Sequence, residues 1–200
     1  MKNFPVFLLF VIYGIPIGEA LRCQTCKALN AEDCTGESVP CKNEGDNCTK
    51  AIEHNSVNGM NIASFSRGCT SFPQMCGKLF TVTTPNFTLE IYNDCCNTND
   101  CNVGKIIVPA KNTTKNGLSC KACFEEGTYV CKEFTTIECT GNEGDCLQYS
   151  GDATRPGQQT QKYALAGCAT TGACGVAYDA LVGTMPGNPR NLSCPVENRV

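Results

Sequence analysis

The chain has 200 residues, of which eighteen are cysteine, one is histidine and none is tryptophan, and it carries a net charge of -3 at pH 7. That cysteine content belongs to a disulfide scaffold made for an oxidising compartment and excludes an ordinary reduced cytosolic domain. A weakly acidic balance without any basic run excludes a protein built to hold nucleic acid or an anionic membrane surface.

Met1 to Ala20 opens on Lys2, continues through an apolar run from Phe4 to Ile17 and closes on Gly18-Glu19-Ala20. This is the three-part pattern of a secretory signal. The run falls short of the roughly 18 apolar residues that a membrane span needs. Cleavage after Ala20 and delivery to the extracellular space are the expectation for residues 1–20.

The first domain, residues 21–102, carries Cys23, Cys26, Cys34, Cys41, Cys48, Cys69, Cys76, Cys95, Cys96 and Cys101. Between Cys48 and Cys69, Asn58-Gly59 sits amid apolar and β-branched residues, the strongest two-residue hairpin signal. Between Cys76 and Cys95, the β-rich runs Leu79–Thr83 and Phe87–Tyr92 flank Thr84-Pro85-Asn86, which predicts a second hairpin. Residues 103–119 contain no cysteine and include Pro109 and a sequon at Asn112, so they read as an exposed, extended linker.

The second domain, residues 120–200, repeats the ladder with Cys120, Cys123, Cys131, Cys139, Cys146, Cys168, Cys174 and Cys194. Successive gaps of 2, 7, 6, 6, 20, 6 and 18 residues in the first copy become 2, 7, 7, 6, 21, 5 and 19 in the second. Asn43-Glu44-Gly45-Asp46 before Cys48 matches Asn142-Glu143-Gly144-Asp145 before Cys146, and a glycine precedes both Cys69 and Cys168. Such agreement marks an internal duplication. Arg155-Pro156-Gly157 occupies the turn position of Asn58-Gly59. Pro186, Gly187 and Pro189 predict short, irregular strands in the last loop, Gly175 to Ser193. The polar end, Asn191 to Val200, lacks the apolar tail of about 10 to 20 residues that a glycolipid anchor signal uses, so no membrane anchor is expected.

Each domain is too small and too poor in large apolar residues to be stable by burial alone. A disulfide is worth about 2 to 4 kcal/mol, so four or five per domain dominate. The counts, ten and eight, are even, but eight cysteines already admit about a hundred pairings. Asn86, Asn112 and Asn191 are candidate glycosylation sites; Asn47, whose sequon contains Cys48, is the least suited.

For catalysis the only imidazole is His54, beside Glu53 and Asn55, and no Gly-x-Ser-x-Gly stretch occurs, so a solvated histidine and a non-enzyme are the reading. Cys23-x2-Cys26 and Cys120-x2-Cys123 have the spacing of zinc ligands or a redox pair, yet each sits in a complete even ladder and reads as structural. Asp94 and Asp100 lack the order of a calcium loop. No cofactor or metal is expected.

Cys-x2-Cys, three further cysteines, a long hairpin and the closing Cys95-Cys96-Asn97-Thr98-Asn99-Asp100-Cys101-Asn102 together resemble the three-finger domain of the lymphocyte-antigen-6 and urokinase-receptor superfamily. The resemblance implies an all-β fold of two tandem three-finger domains. It also implies the pairs Cys23–Cys48, Cys26–Cys34, Cys41–Cys69, Cys76–Cys95 and Cys96–Cys101, with Asn102 bonded into the disulfide palm, then Cys120–Cys146, Cys123–Cys131, Cys139–Cys168 and Cys174–Cys194. The second domain lacks the closing Cys-Cys-x4-Cys-Asn, which implies one bridge fewer and a looser palm. A secreted pair with a shortened second ladder is similar to the gamma-type phospholipase A2 inhibitors and also to the sodefrin-precursor-like factors. The expected function is therefore a secreted, non-catalytic protein-binding protein whose partner is a secreted phospholipase A2, with a pheromone read by a receptor as the alternative. Met60, Ile62 and Phe65 in the first domain and Tyr149, Arg155 and Tyr163 in the second are the finger residues that either meet the partner or pack between strands.

Overall fold

The computed structural model describes residues 20–200; the expected signal segment, apart from Ala20, lies outside them. The first domain is built from β1 (Arg22–Leu29), β2 (Glu37–Pro40), β3 (Asn47–Val57), β4 (Met60–Thr70), β5 (Leu79–Thr83) and β6 (Phe87–Cys96). These form three antiparallel hairpins, β1–β2, β3–β4 and β5–β6, laid side by side in the order β2-β1-β4-β3-β6-β5. The β3–β4 turn is Asn58-Gly59 with both residues at positive φ, 50° and 81°, the geometry that matches strand twist in a two-residue hairpin. β3 is central, paired on both edges, and most of its residues are buried.

The second domain contains β7 (Lys115–Glu126), β8 (Thr135–Thr140), β9 (Asp145–Thr154), β10 (Gln161–Ala169), α1 (Ala173–Ala180) and β11 (Met185–Ser193). Here the hairpins are β7–β8 and β9–β10, and β11 adds to the outer edge of β9. The third finger departs from an all-strand expectation because α1 replaces its first strand. Ala173, Ala177 and Ala180 supply helix propensity, and Ala173 and Ala180 are buried. Pro186 and Pro189 lie in β11, an edge strand whose register shifts at both places, where the missing N–H costs no ladder bond.

Nine disulfides link Cys23–Cys48, Cys26–Cys34, Cys41–Cys69, Cys76–Cys95 and Cys96–Cys101 in the first domain, and Cys120–Cys146, Cys123–Cys131, Cys139–Cys168 and Cys174–Cys194 in the second. Asn102 is fully buried in the first palm. Its amide accepts from the Gln24 N–H and donates to the carbonyls of Gln24 and Thr49. Where the second domain has no such closure, its last residues fold back instead. Arg199 bridges to Cys120, the Val200 N–H donates to the Ser119 carbonyl at 2.9 Å, and Asn198 is buried. Backbone pairing thus closes the palm that the sequence suggests is loose.

The two domains share one sheet. Along one edge of β10, residues 163–166 pair with β7 of their own domain, and Cys168 and Ala169 pair with Thr83 and Val82 on β5 of the first. The pairing continues through Thr170, whose N–H donates to the Thr81 carbonyl and whose hydroxyl accepts from the Thr81 N–H. β7 takes up residues 115–119, leaving 103–114 as the part of the connection outside any strand. That stretch is exposed but anchored. Lys50 donates to the carbonyls of Val103 and Lys105, Arg67 holds the carbonyls of Asn102 and Gly104 and the Asp33 carboxylate, and Lys111 pairs with Glu143 at 3.0 Å.

Candidate binding surfaces and the domain seam

The packing between the domains decides which residues remain free to meet a partner. Val57, Val82 and Phe87 from the first domain form a single core cluster with Leu147, Tyr149, Tyr163 and Leu165 from the second. The Phe87 ring stacks on Phe124 with centroids 5.0 Å apart, and Phe124 meets Tyr163 at 6.1 Å. Aromatic pairs of this geometry add to plain burial.

Polar groups lock the same seam. Glu53, on the central hairpin of the first domain, has no exposed surface. Its carboxylate accepts from the N–H groups of Val182, Gly183 and Thr184 at 2.8, 2.9 and 3.1 Å and from the Thr184 hydroxyl. Successive backbone N–H groups converging on one carboxylate form an anion-binding nest. Asn55, also buried, donates to Thr184 and accepts from the Arg155 guanidinium. Arg155 in turn pairs with Glu126 at 3.1 Å and lies over the Phe87 ring.

A second buried carboxylate, Glu143, sits in the repeated Asn-Glu-Gly-Asp motif. It accepts from the Thr81 and Thr83 hydroxyls on β5, from the Thr140 N–H and from Lys111. Burial by itself raises the pKa of this group. The Thr83 hydrogen bond, the Thr140 N–H and the Lys111 charge outweigh burial and hold it below its ordinary 4.5. A depressed folded pKa contributes stability that is complete above the unfolded value and is lost as pH falls through the folded one. Glu143→Gln is therefore expected to have a lower urea midpoint than the parent protein at pH 7, with the difference narrowing below about pH 4.5. A difference unchanged between pH 7 and pH 3 would contradict this role.

The candidate contact residues divide sharply. Phe65, Tyr149, Arg155 and Tyr163 are not finger surface: they are buried, with exposures of 0, 9, 7 and 2%. Phe65 packs beneath Arg67, and the other three belong to the seam. Ile62 is half-buried, and only Met60, 70% exposed at the β3–β4 tip, stands in solvent. Other open apolar side chains include Leu29 at the end of β1, Val39 on β2, Ile107 in the connection between the domains, and Val130 and Phe134 in the loop between β7 and β8. The sequence cue for Glu53 and Asn55 was their place in the central hairpin, but nothing local marks them as seam residues.

The candidate chemistry is absorbed by structure. His54 is half-buried in a shallow recess with Glu32, Asp33 and Lys105. Asp94 pairs with Lys50 at 2.9 Å, and Asp100 accepts from Gln24. The sulfur triplets Cys23, Cys41, Cys69 and Cys120, Cys139, Cys168 lie close enough to hold an ion, but every member is in a disulfide and offers no thiolate. Asn86, Asn112 and Asn191 are exposed, whereas the Asn47 sequon ends in the buried Thr49. No helix among the described residues is long and apolar enough to cross a membrane.

Comparison with known proteins bears on the fold. The u-PAR/Ly-6 domain model matches residues 19–104 and again 116–195. The urokinase plasminogen activator surface receptor of Bos taurus is 30% identical over 159 residues, which is 77% of this chain and 46% of that protein. The protein of the same name from Aotus trivirgatus is 26% identical over 191 residues, 92% of this chain and 54% of its own. Protein RoBo-1 of Rattus norvegicus is 32% identical over 111 residues, 54% of this chain and 43% of its own. Among solved structures, mouse TEX101 aligns over 85% of this chain and 96% of its own at 19% identity and a TM-score of 0.37. The chain spans about half the length of the curated relatives it matches.

Proposed function

The chain belongs to the u-PAR/Ly-6 domain family, and from that premise we propose that it is a secreted, non-catalytic binding protein whose two three-finger domains act as one rigid body on an extracellular protein. One observation carries this reading: a shared sheet and a shared core fuse the domains, leaving Met60, Leu29 and Val39 as open apolar positions on the first domain's strands. A surface ordered before binding loses little conformational freedom on binding.

The partner class to be tested first is a secreted phospholipase A2, inhibited by occlusion of its interfacial or active-site face. Support comes from the paired ladders with a shortened second copy, and from the design itself, since occlusion needs only a rigid complementary surface. The decisive experiment is equilibrium binding of the oxidised protein to immobilised secreted phospholipases A2, with turnover followed in parallel and urokinase plasminogen activator as a second ligand. Saturable binding with loss of turnover supports the inhibitor. A panel left fully active and unbound removes it and moves the assignment to a secreted chemical signal, which transcript confined to a skin or courtship gland would support.

Where a partner binds, the double variant Leu29→Asp, Met60→Asp is expected to weaken it at least about tenfold. Its urea stability should stay within about 0.5 kcal/mol of the parent, because both side chains are exposed. Unchanged affinity would exclude these two positions from the contact.

A further inference from the structure

Between the two domains the seam leaves a pocket of about 100 Å³, partly open to solvent and walled by side chains from β3, β5, β6, β7, β9, β10 and β11. Its body is apolar, with Val82, Leu89, Leu147, Leu165, Leu181 and Leu192 among its walls. Polar residues stand at its margin, but they are already engaged with protein. Asn55 is bonded to Arg155 and Thr184, Thr184 to Glu53, Arg155 to Glu126, the Tyr149 hydroxyl to the Asp152 carbonyl and the Tyr163 hydroxyl to Gln161. Water entering such a space would need two to four polar partners of its own. These groups have little left to offer it.

We propose that this cavity is a binding site for a small, uncharged, apolar molecule of the size of one aromatic ring or a short branched alkyl group. The size argument is one of scale, since enclosed apolar protein cavities of about 150 Å³ take up benzene or xenon and this pocket, at about 100 Å³, admits one such ring at most. The charge argument follows from the margin. The Arg155 guanidinium is already balanced by Glu126, and Glu53 lies directly behind Asn55 and Thr184. An anionic ligand would therefore meet an excess of carboxylate, and a cation would lose its water without gaining a free partner. A neutral apolar ligand loses little on entering and gains dispersion contacts that an empty cavity forgoes. The walls come from both domains, so occupancy should reinforce the seam. The site is independent of which protein the open finger residues meet.

The test uses the full oxidised protein with labelled Leu and Val methyl groups, titrated with benzene and, separately, with benzoate, which carries the same ring and a charge. Saturable shifts at Val82, Leu147, Leu165 and Leu192 with benzene, and binding at least about 100-fold weaker for benzoate, are the expected results. Benzene should also raise the unfolding temperature of the parent protein, as a ligand of the folded state must, but not that of Ala153→Leu, whose added side chain occupies the cavity. Leu192→Ala, on the edge strand, should enlarge the site and accept naphthalene. Unmoved methyl groups at those four positions, shifts confined to exposed residues such as Leu29 and Val130, or equal affinity for benzoate would each overturn the proposal. The methyl map on the parent protein decides the matter even if Ala153→Leu fails to fold.

Discussion

Glu53→Ala is expected to lower the stability of the oxidised protein by about 3 to 5 kcal/mol, among the largest effects a single side chain can have here. The carboxylate accepts from the N–H groups of Val182 and Gly183 and from both the N–H and the hydroxyl of Thr184. Removing it leaves three backbone donors and a hydroxyl without their acceptor in a largely buried interface, and each buried group so stranded costs about 1 to 3 kcal/mol. Glu53→Gln should cost less, because one oxygen still accepts, but its amide nitrogen must face N–H donors whichever way it turns. Urea denaturation gives the magnitude, and amide hydrogen exchange at residues 182–184 gives the location. A loss below about 1 kcal/mol, or exchange unchanged at those amides, would show that the nest does not hold the domains together.

The second large effect is expected at Gly167. It lies on β10 where that strand changes partner from β7 to β5, and a Cβ there would fall inside contact distance of the Thr83 carbonyl. The obstacle is backbone, which cannot swing aside as a side chain tip can. Gly167→Ala must therefore push β5 and β10 apart, at a cost of about 1 to 3 kcal/mol or more, and should loosen the seam, as read by exchange at Thr81 and Thr170. The duplication supplies the control. Gly68 holds the same place before Cys69, yet a Cβ there meets nothing within 4 Å, so Gly68→Ala should be neutral or stabilise by roughly 0.4 to 1 kcal/mol. Equal effects at the two glycines would mean that the domains are not joined as described.

These two positions show where reading the sequence stops. Gly68 and Gly167 are indistinguishable in the ladder, because the difference between them is the presence of another domain's strand and not anything within a few residues. Tyr149, Arg155 and Tyr163 looked like finger surface because an isolated three-finger domain would expose them; the first domain covers them instead. The helix at Ala173–Ala180 had a visible cue in its alanine spacing, but proline and glycine further on suggested strand and loop. Nothing in the order of residues pairs Glu53 with Val182, Gly183 and Thr184, which lie some 130 positions away.

The sequence by itself determined the twofold repeat, the family and the hairpins, because cysteine spacing, turn residues and strand alternation act over short distances and recur in both copies. The tertiary structure alone decided that the two domains form one body, which aromatic and charged residues they hide, and that a small apolar cavity lies between them. Those outcomes depend on surfaces brought together from opposite halves of the chain, and complementarity of that kind leaves no local pattern in the residues that provide it.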